Sequence, residues 1–346
     1  MSPHLTAHDQ NPPHSPFRKG GRTNPPLPKM GDRRPSVNSL SLKREGWGEG
    51  AKTGYLVCVA LLISLFCASL TFGAGVKDAL GREVFLASPP QRLIPLAPNL
   101  TEILYALGLG DRVVGVTNHC NYPPEVSLKP RVGSYISLNI ERIISLSPEL
   151  VIGTVDGNEH YVLDLLEQAR IKVFFVNPRT VNQVMEAILM IGQVCGAGET
   201  ARELSGRLSQ RVDRVLGLVG SRKRPLVFLQ IHIQPIMTVN RNTVHHDVIR
   251  LAGGINMTSD EPITYPRISL EEVIRRKPDV IVISSMERGG RFEKARQEWF
   301  EWKSIPAVQN KRVHLVDSDV IDRPSPRLIE GLEIMAKMIH PEVEWK

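Results

Sequence analysis

Cysteine is scarce in this chain. Four cysteines in 346 residues are too few for a disulfide-dense scaffold. The short signatures of catalysis are missing too. There is no Gly-x-Ser-x-Gly elbow, no P-loop, no His-Glu-x-x-His and no Gly-x-Gly-x-x-Gly after a strand. His245-His246-Asp247 clusters only in sequence, because adjacent helical residues do not share a face. His119-Cys120 has no further ligands at metal-site spacing. The formal charge of +7 also dissolves on inspection: nine of the 43 basic and four of the 36 acidic residues fall within 1–75, leaving 34 against 32. A body so nearly neutral argues against a globally basic nucleic-acid binder. A hydrophobic content of 42% supports a sizeable core.

The N-terminus is defined by two further absences. Residues 1–50 lack apolar periodicity and hold eight of the 26 prolines. Residues 1–51 are therefore read as a disordered extension, or as the product of a start codon placed too far upstream. From Thr53 to Val76 there is no charge, and Tyr55–Ala68 is almost continuously apolar. Lys52 precedes this run, and Ser69, Gly73, Ala74 and Gly75 follow it. Residues 52–75 are thus read as a cleaved secretory signal, with the mature chain starting between Thr71 and Val76. The alternative is a retained anchor, but the apolar core of about 14 residues is shorter than the ~20 a span needs. Phe66 is too bulky to precede a lipidated Cys67. The mature chain, expected in the periplasm, keeps Cys120 and Cys195, and the sequence leaves open whether they pair.

What remains reads as alternating strands and helices. Arg92–Leu96 is a short strand, with Asn99 or Thr101 capping a helix Glu102–Leu107. Val113–Val116 is a β-branched run. A helix over Asn139–Ser145, a strand Leu150–Ile152, a helix Tyr161–Ala169 and a strand Val173–Val176 follow. Two helices, Val181–Cys195 and Glu199–Val219, then interrupt the alternation. The second repeats its apolar residues Leu204, Leu208, Val212, Val215 and Val219 at helical spacing. Alternation resumes with strand Leu226–Ile231, helices Thr243–Ala252 and Leu270–Arg276, strands Val280–Ile283 and Arg312–Val316, and helix Arg327–Ile339. The expected fold is α/β: two lobes with mostly parallel central sheets, joined by one long helix. The expected boundaries are 76–180 for the first lobe, 181–221 for the linking helices and 222–346 for the second lobe. An internal repeat supports the plan. Residues 138–154 (LNIERIISLSPELVIGT) align without gaps on 268–284 (ISLEEVIRRKPDVIVIS). Glu141 meets Glu271, Pro148 meets Pro278, and Tyr135 and Tyr265 each precede the shared glutamate by six residues.

Ligand sites favour lobe interfaces and the carboxyl ends of parallel strands. The expected walls are Ala97–Asn99, Thr117–Tyr122, Thr154–Asn158 and His232–Pro235, with the two tyrosines gripping a large flat ligand from both sides. A single Tyr in either position would be explained as loop packing. Catalytic groups need not be close in sequence, so an envelope enzyme using the same cleft stays as an alternative.

Several segments carry a family resemblance: RLIPLAPNLTEILYALGLGDRVVGV (92–116), YPPE (122–125), RVGSYISLNIERIISLSPELVI (131–152), LAGGIN (251–256) and SPR (325–327). In this order and spacing, together with the long helix, they resemble the helical-backbone (class III) substrate-binding proteins of ABC importers, the vitamin B12 binders in particular. The resemblance covers roughly Arg92 to Pro341. It implies a non-enzymatic, monomeric carrier with no cofactor, taking cobalamin or a related corrinoid as cargo, with a ferric siderophore or haem as the alternative within the family. It implies ligand contacts at His119, Tyr135, Thr154, Ile231, Tyr265, Asp319 and Arg323. Of these, His119 stands where the B12 binders have Tyr, Thr154 where they have Trp, and Ile231 where they have Phe. It also implies that Glu141 and Glu271 dock onto arginines of a dimeric permease. A further expectation is that His119 meets the metal face or an amide of the cargo.

Overall fold

A computed structural model describes residues 75–135, 137–157, 160–284 and 290–345, with backbone only at 160 and 161. The N-terminal extension, and all of the signal segment except Gly75, lie outside the described residues. No helix among the described residues is long and apolar enough to cross a membrane.

Two parallel sheets organise the chain. The first orders β3 (Leu93–Pro95), β4 (Leu150–Thr154) and β5 (Lys172–Val176) side by side, with Leu93 opposite Leu150 and Ile152 opposite Phe174. The second orders β7 (Ile255–Asn256), β6 (Leu226–Gln230), β8 (Val280–Ile283) and β9 (Val313–Leu315). Strands β4 and β8 are buried along their whole length, as strands covered on both faces must be. A two-residue hairpin, β1 (Val76–Lys77) with β2 (Glu83–Val84), lies ahead of them.

The repeat is reproduced in backbone detail. Helices α2 (Ile140–Ser145) and α7 (Leu270–Arg276) are capped by Asn139 and Ser269, whose side chains accept from the backbone N–H of Arg142 and Glu272. This is the standard role of a short polar residue at an N-cap. Ile143 and Val273 are each fully buried. Both copies then turn through a left-handed residue, Ser147 and Lys277, before the proline and the strand.

Between the sheets stand α4 (Val181–Val194) and α5 (Gly198–Val219). At 22 residues, α5 spans about 33 Å. Its buried residues Leu204, Leu208, Val212, Val215 and Val219 are the periodic positions seen in the sequence. The two helices approach closely because Gly192 has no side chain: a Cβ there would lie 2.3 Å from that of Ala201. Helix α11 (Leu328–Ile339) packs on α5, where Arg211 makes two 2.9 Å hydrogen bonds to the Glu333 carboxylate.

Three local expectations change. Helix α1 (Pro98–Ala106) starts with Pro98 rather than at Glu102, proline's fixed φ suiting the first turn. Neither Asn99 nor Thr101 caps it; Thr101 lies inside and donates to the Ala97 carbonyl. Val113–Val116 forms only isolated bridges, Val113 with Leu93 and Val116 with Arg131, so its two ends serve different partners. Cys120 and Cys195 are both buried and unpaired. Cys120 sits between the hydroxyls of Thr101 and Thr117, while the Cys195 thiol is pushed up to about 12 by burial.

Candidate ligand-binding site

The loops at the carboxyl ends of the strands enclose a cavity of about 700 Å³. From the first sheet come Ala97–Asn99 after β3, Thr154 and Asp156 after β4, and Asn177–Arg179 after β5. Asn118, His119, Asn121 and Tyr135 come from the long connection between α1 and α2. From the second sheet come Ile231 after β6, Asn242–His245 at the start of α6 (Val244–Leu251), Tyr265, and the Ser318–Pro324 region around α10 (Ser318–Ile321). His119, Tyr135, Thr154, Ile231, Tyr265, Asp319 and Arg323 therefore share one cavity.

Each of these side chains has a definite setting. The Tyr135 hydroxyl lies 3.0 Å from the Thr154 hydroxyl, and burial pushes the phenol above its ordinary range. The Tyr265 phenol is also raised, chiefly by burial and then by the Asp156 carboxylate, which places it near the first lobe's wall. Arg179 pairs with Asp156 and donates to the Asn242 carbonyl at 3.1 Å, so it spans the two lobes. Asp319 is buried and pairs with Arg323 at 2.6 Å. Asn121 donates to the second Asp319 oxygen at 2.8 Å. His119 and Asn121 are exposed.

Some expectations about the walls change. His232–Pro235 does not line the cavity: His232 Nδ1 meets the Pro235 carbonyl at 2.9 Å in a tight turn. Asn158 lies outside the described residues. The Asn177–Arg179 wall was missed, although it follows a parallel strand and the same rule reaches it. The His-His-Asp run is dispersed as helical geometry demands. His245 Nε2 lies 3.0 Å from Asp322, which in turn accepts from the Ser284 hydroxyl. Asp247 turns away and accepts from the Val181 backbone N–H. The order Ser–Asp–His puts the carboxylate in the middle, so no imidazole is placed to activate Ser284 as a nucleophile. Among the described residues no cluster of His, Cys, Asp and Glu could hold a metal ion. Glu141 and Glu271 are exposed in the first turns of α2 and α7, outside the cavity lining.

Two α/β sheets that meet across one cavity and are bridged by a single long helix define a bilobal ligand-binding protein. Residues 93–320 match the model of the periplasmic binding protein family, and the chain belongs to that family. It is 30% identical over 248 residues to the vitamin B12-binding protein of Vibrio cholerae, covering 71% of this chain and 87% of the relative. It is 31% identical over 278 residues to an uncharacterized ABC transporter substrate-binding lipoprotein of Bacillus subtilis, covering 78% and 87%. The solved vitamin B12 binding protein BtuF of V. cholerae superposes with a TM-score of 0.67 at 29% identity, over 73% of this chain and 98% of that one. The periplasmic heme-binding protein RhuT of Roseiflexus sp. RS-1 gives 0.66 at 25% identity, over 72% and 98%. The chain is thus a substrate-binding protein of the ABC-transporter type, a class that carries a small ligand to a permease.

Proposed function

We propose that this protein captures a corrinoid, cobalamin or a close relative, in the inter-lobe cavity outside the cytoplasmic membrane and delivers it to an ABC importer. The observation that carries this reading is the cavity's polar lining. Five asparagines face it: Asn99, Asn118, Asn121, Asn177 and Asn242. Its charged side chains among the described residues are Arg179 and Arg323 against Asp156, Asp319 and Asp322, and each arginine is already paired with an aspartate. Haem propionates and ferric catecholates bring excess negative charge and call for free cations. A corrinoid presents an apolar macrocycle fringed with primary amides. Such a fringe matches amide side chains, which donate and accept at once, while the faces suit Tyr135, Tyr265 and Ile231.

In this reading the protein is a monomeric carrier and does no covalent chemistry. Residues 52–75 act as the export signal, and Glu141 and Glu271 meet the permease dimer. Titration calorimetry with cyanocobalamin, haem and a ferric hydroxamate tests the cargo. One cyanocobalamin per chain, with haem and the hydroxamate far weaker, is the expected result. Binding of haem alone overturns the corrinoid assignment, and conversion of a captured ligand overturns the carrier assignment.

A further inference from the structure

Glu102 lies on α1, one turn behind the cavity wall, with its side chain only 2% exposed. A carboxylate so buried is destabilising unless donors surround it. The donors that reach it all come from the second lobe: Arg323 Nη1 at 2.8 Å, the Ser325 hydroxyl at 2.6 Å and Arg327 Nη1 at 3.4 Å. The same segment is held at further points. Arg323 Nη1 also donates to Asn121 Oδ1 at 2.7 Å, the Arg327 guanidinium lies 4.2 Å over the Tyr122 ring, and Asn99 donates to the Pro324 carbonyl.

Glu102 does not line the cavity, but Arg323 does. The guanidinium is a rigid planar fork. One of its terminal nitrogens is fixed by Glu102 and Asn121 in the first lobe, the other by Asp319 in the second. Its orientation is thereby set before any ligand arrives. The Glu102 contacts therefore tie the two lobes beside the cleft, in addition to the long helix that joins them.

We propose that Glu102 is a positioning residue for ligand binding: it clamps the 323–327 segment to the first lobe, fixing both the lobe spacing and the direction of Arg323 without touching the cargo. Preorganisation of this kind raises affinity by removing ordering from the binding step. The proposal rests on the reading of Arg323 as a ligand contact.

The test pairs a binding measurement with one that needs no ligand. Spin labels on Leu128→Cys and Ile263→Cys, both strongly exposed and on different lobes, report the inter-lobe distance by pulsed electron resonance. Glu102→Gln is expected to broaden or lengthen that distance in the free protein and to weaken cyanocobalamin binding at least tenfold. Glu102→Asp, which keeps the charge, should recover part of both. Ser325→Ala removes one donor at little structural risk and should show a smaller change in the same direction if the Gln variant does not fold. An unchanged distance distribution in Glu102→Gln, or in Ser325→Ala should the former not fold, overturns the proposal. Failure of the wild-type protein to bind cyanocobalamin overturns the cargo assignment instead and leaves the distance measurement to decide the clamp.

Discussion

The Tyr135 ring occupies the space that a side chain at Gly157 would fill. A Cβ built on Gly157 would lie 1.5 Å from the tyrosine Cζ and 1.6 Å from its hydroxyl oxygen. The glycine that follows β4 therefore allows the tyrosine to lie along the cavity wall with its hydroxyl on Thr154. Gly157→Ala should expel the ring and weaken cyanocobalamin binding by tenfold or more, equivalent to about 1.4 kcal/mol. Tyr135→Phe removes the hydroxyl and with it the hydrogen bond to Thr154, about 1 kcal/mol, and keeps the apolar face. Calorimetry on the two variants separates shape from hydrogen bonding. Equal, small losses would show that the ring does not form part of the binding surface.

The elements with strong local signals were legible in the sequence. Helix α5 was readable from its periodic Leu and Val residues, and α7 and β8 were placed to the residue because Ser269 and Pro278 punctuate them. The relationship of Glu102 to Arg323 was not readable, since 221 residues separate the partners and nothing local announces a buried carboxylate. Helix α8 (Arg291–Trp299) was missed because only Ala295 and Trp299 in it are buried, too few to set a period. The cavity residues at the carboxyl ends of strands followed from a general rule. The resemblance to a known family supplied Asp319 and Arg323, although the same rule reaches them too, since they follow the carboxyl end of the parallel strand β9.

The cysteines give a chemical prediction. Cys195 is fully buried with its thiol pushed up to about 12, so at neutral pH it holds its proton and is a poor nucleophile. Cys120 is enclosed by two threonine hydroxyls. Both should resist a thiol-specific chromogenic reagent in the folded state and react promptly in denaturant. The mature chain should also keep one mass with and without reductant. A two-dalton difference would establish a disulfide.

The Arg211–Glu333 pair ties the long helix to α11, and its contribution depends on pH. The hydrogen bonds from Arg211 hold the Glu333 carboxyl below its usual range. A depressed folded value means that the stabilisation is present above the unfolded carboxylate value and is lost as pH falls through the folded one. Both side chains are partly exposed, so the pair is worth no more than about 1 kcal/mol. Glu333→Gln should lower the melting temperature by a few degrees at pH 7 and by progressively less as the pH drops below 4. A constant difference across that range would assign the effect to packing.

Glu141 and Glu271 are the symmetric pair whose role most needs separating from local structure. Each lies in the first turn of a short helix, where a carboxylate complements the helix dipole, and that alone would account for either residue. The backbone amide at Glu271 and the Ser269 hydroxyl hold its carboxyl below the ordinary range, so its charge persists into mildly acidic conditions. Helix capping gives no reason for an acid at the same place in both lobes, six residues after a cavity tyrosine in each. Two exposed carboxylates on separate lobes offer a two-point electrostatic dock that fixes orientation as well as attraction. The double variant Glu141→Ala and Glu271→Ala should bind cyanocobalamin with unchanged affinity and melt within a few degrees of the wild type, yet fail to support uptake in reconstituted vesicles. Lysine at both positions should be worse, because attraction becomes repulsion. Wild-type docking should weaken with added salt, since exposed charges are screened within roughly 10 Å at 0.1 M. The Glu271 contact should hold as pH falls from 7 to 5, because its carboxyl is held below the ordinary range. Uptake at the wild-type rate by the double alanine variant would reduce the two glutamates to complements of their helix dipoles.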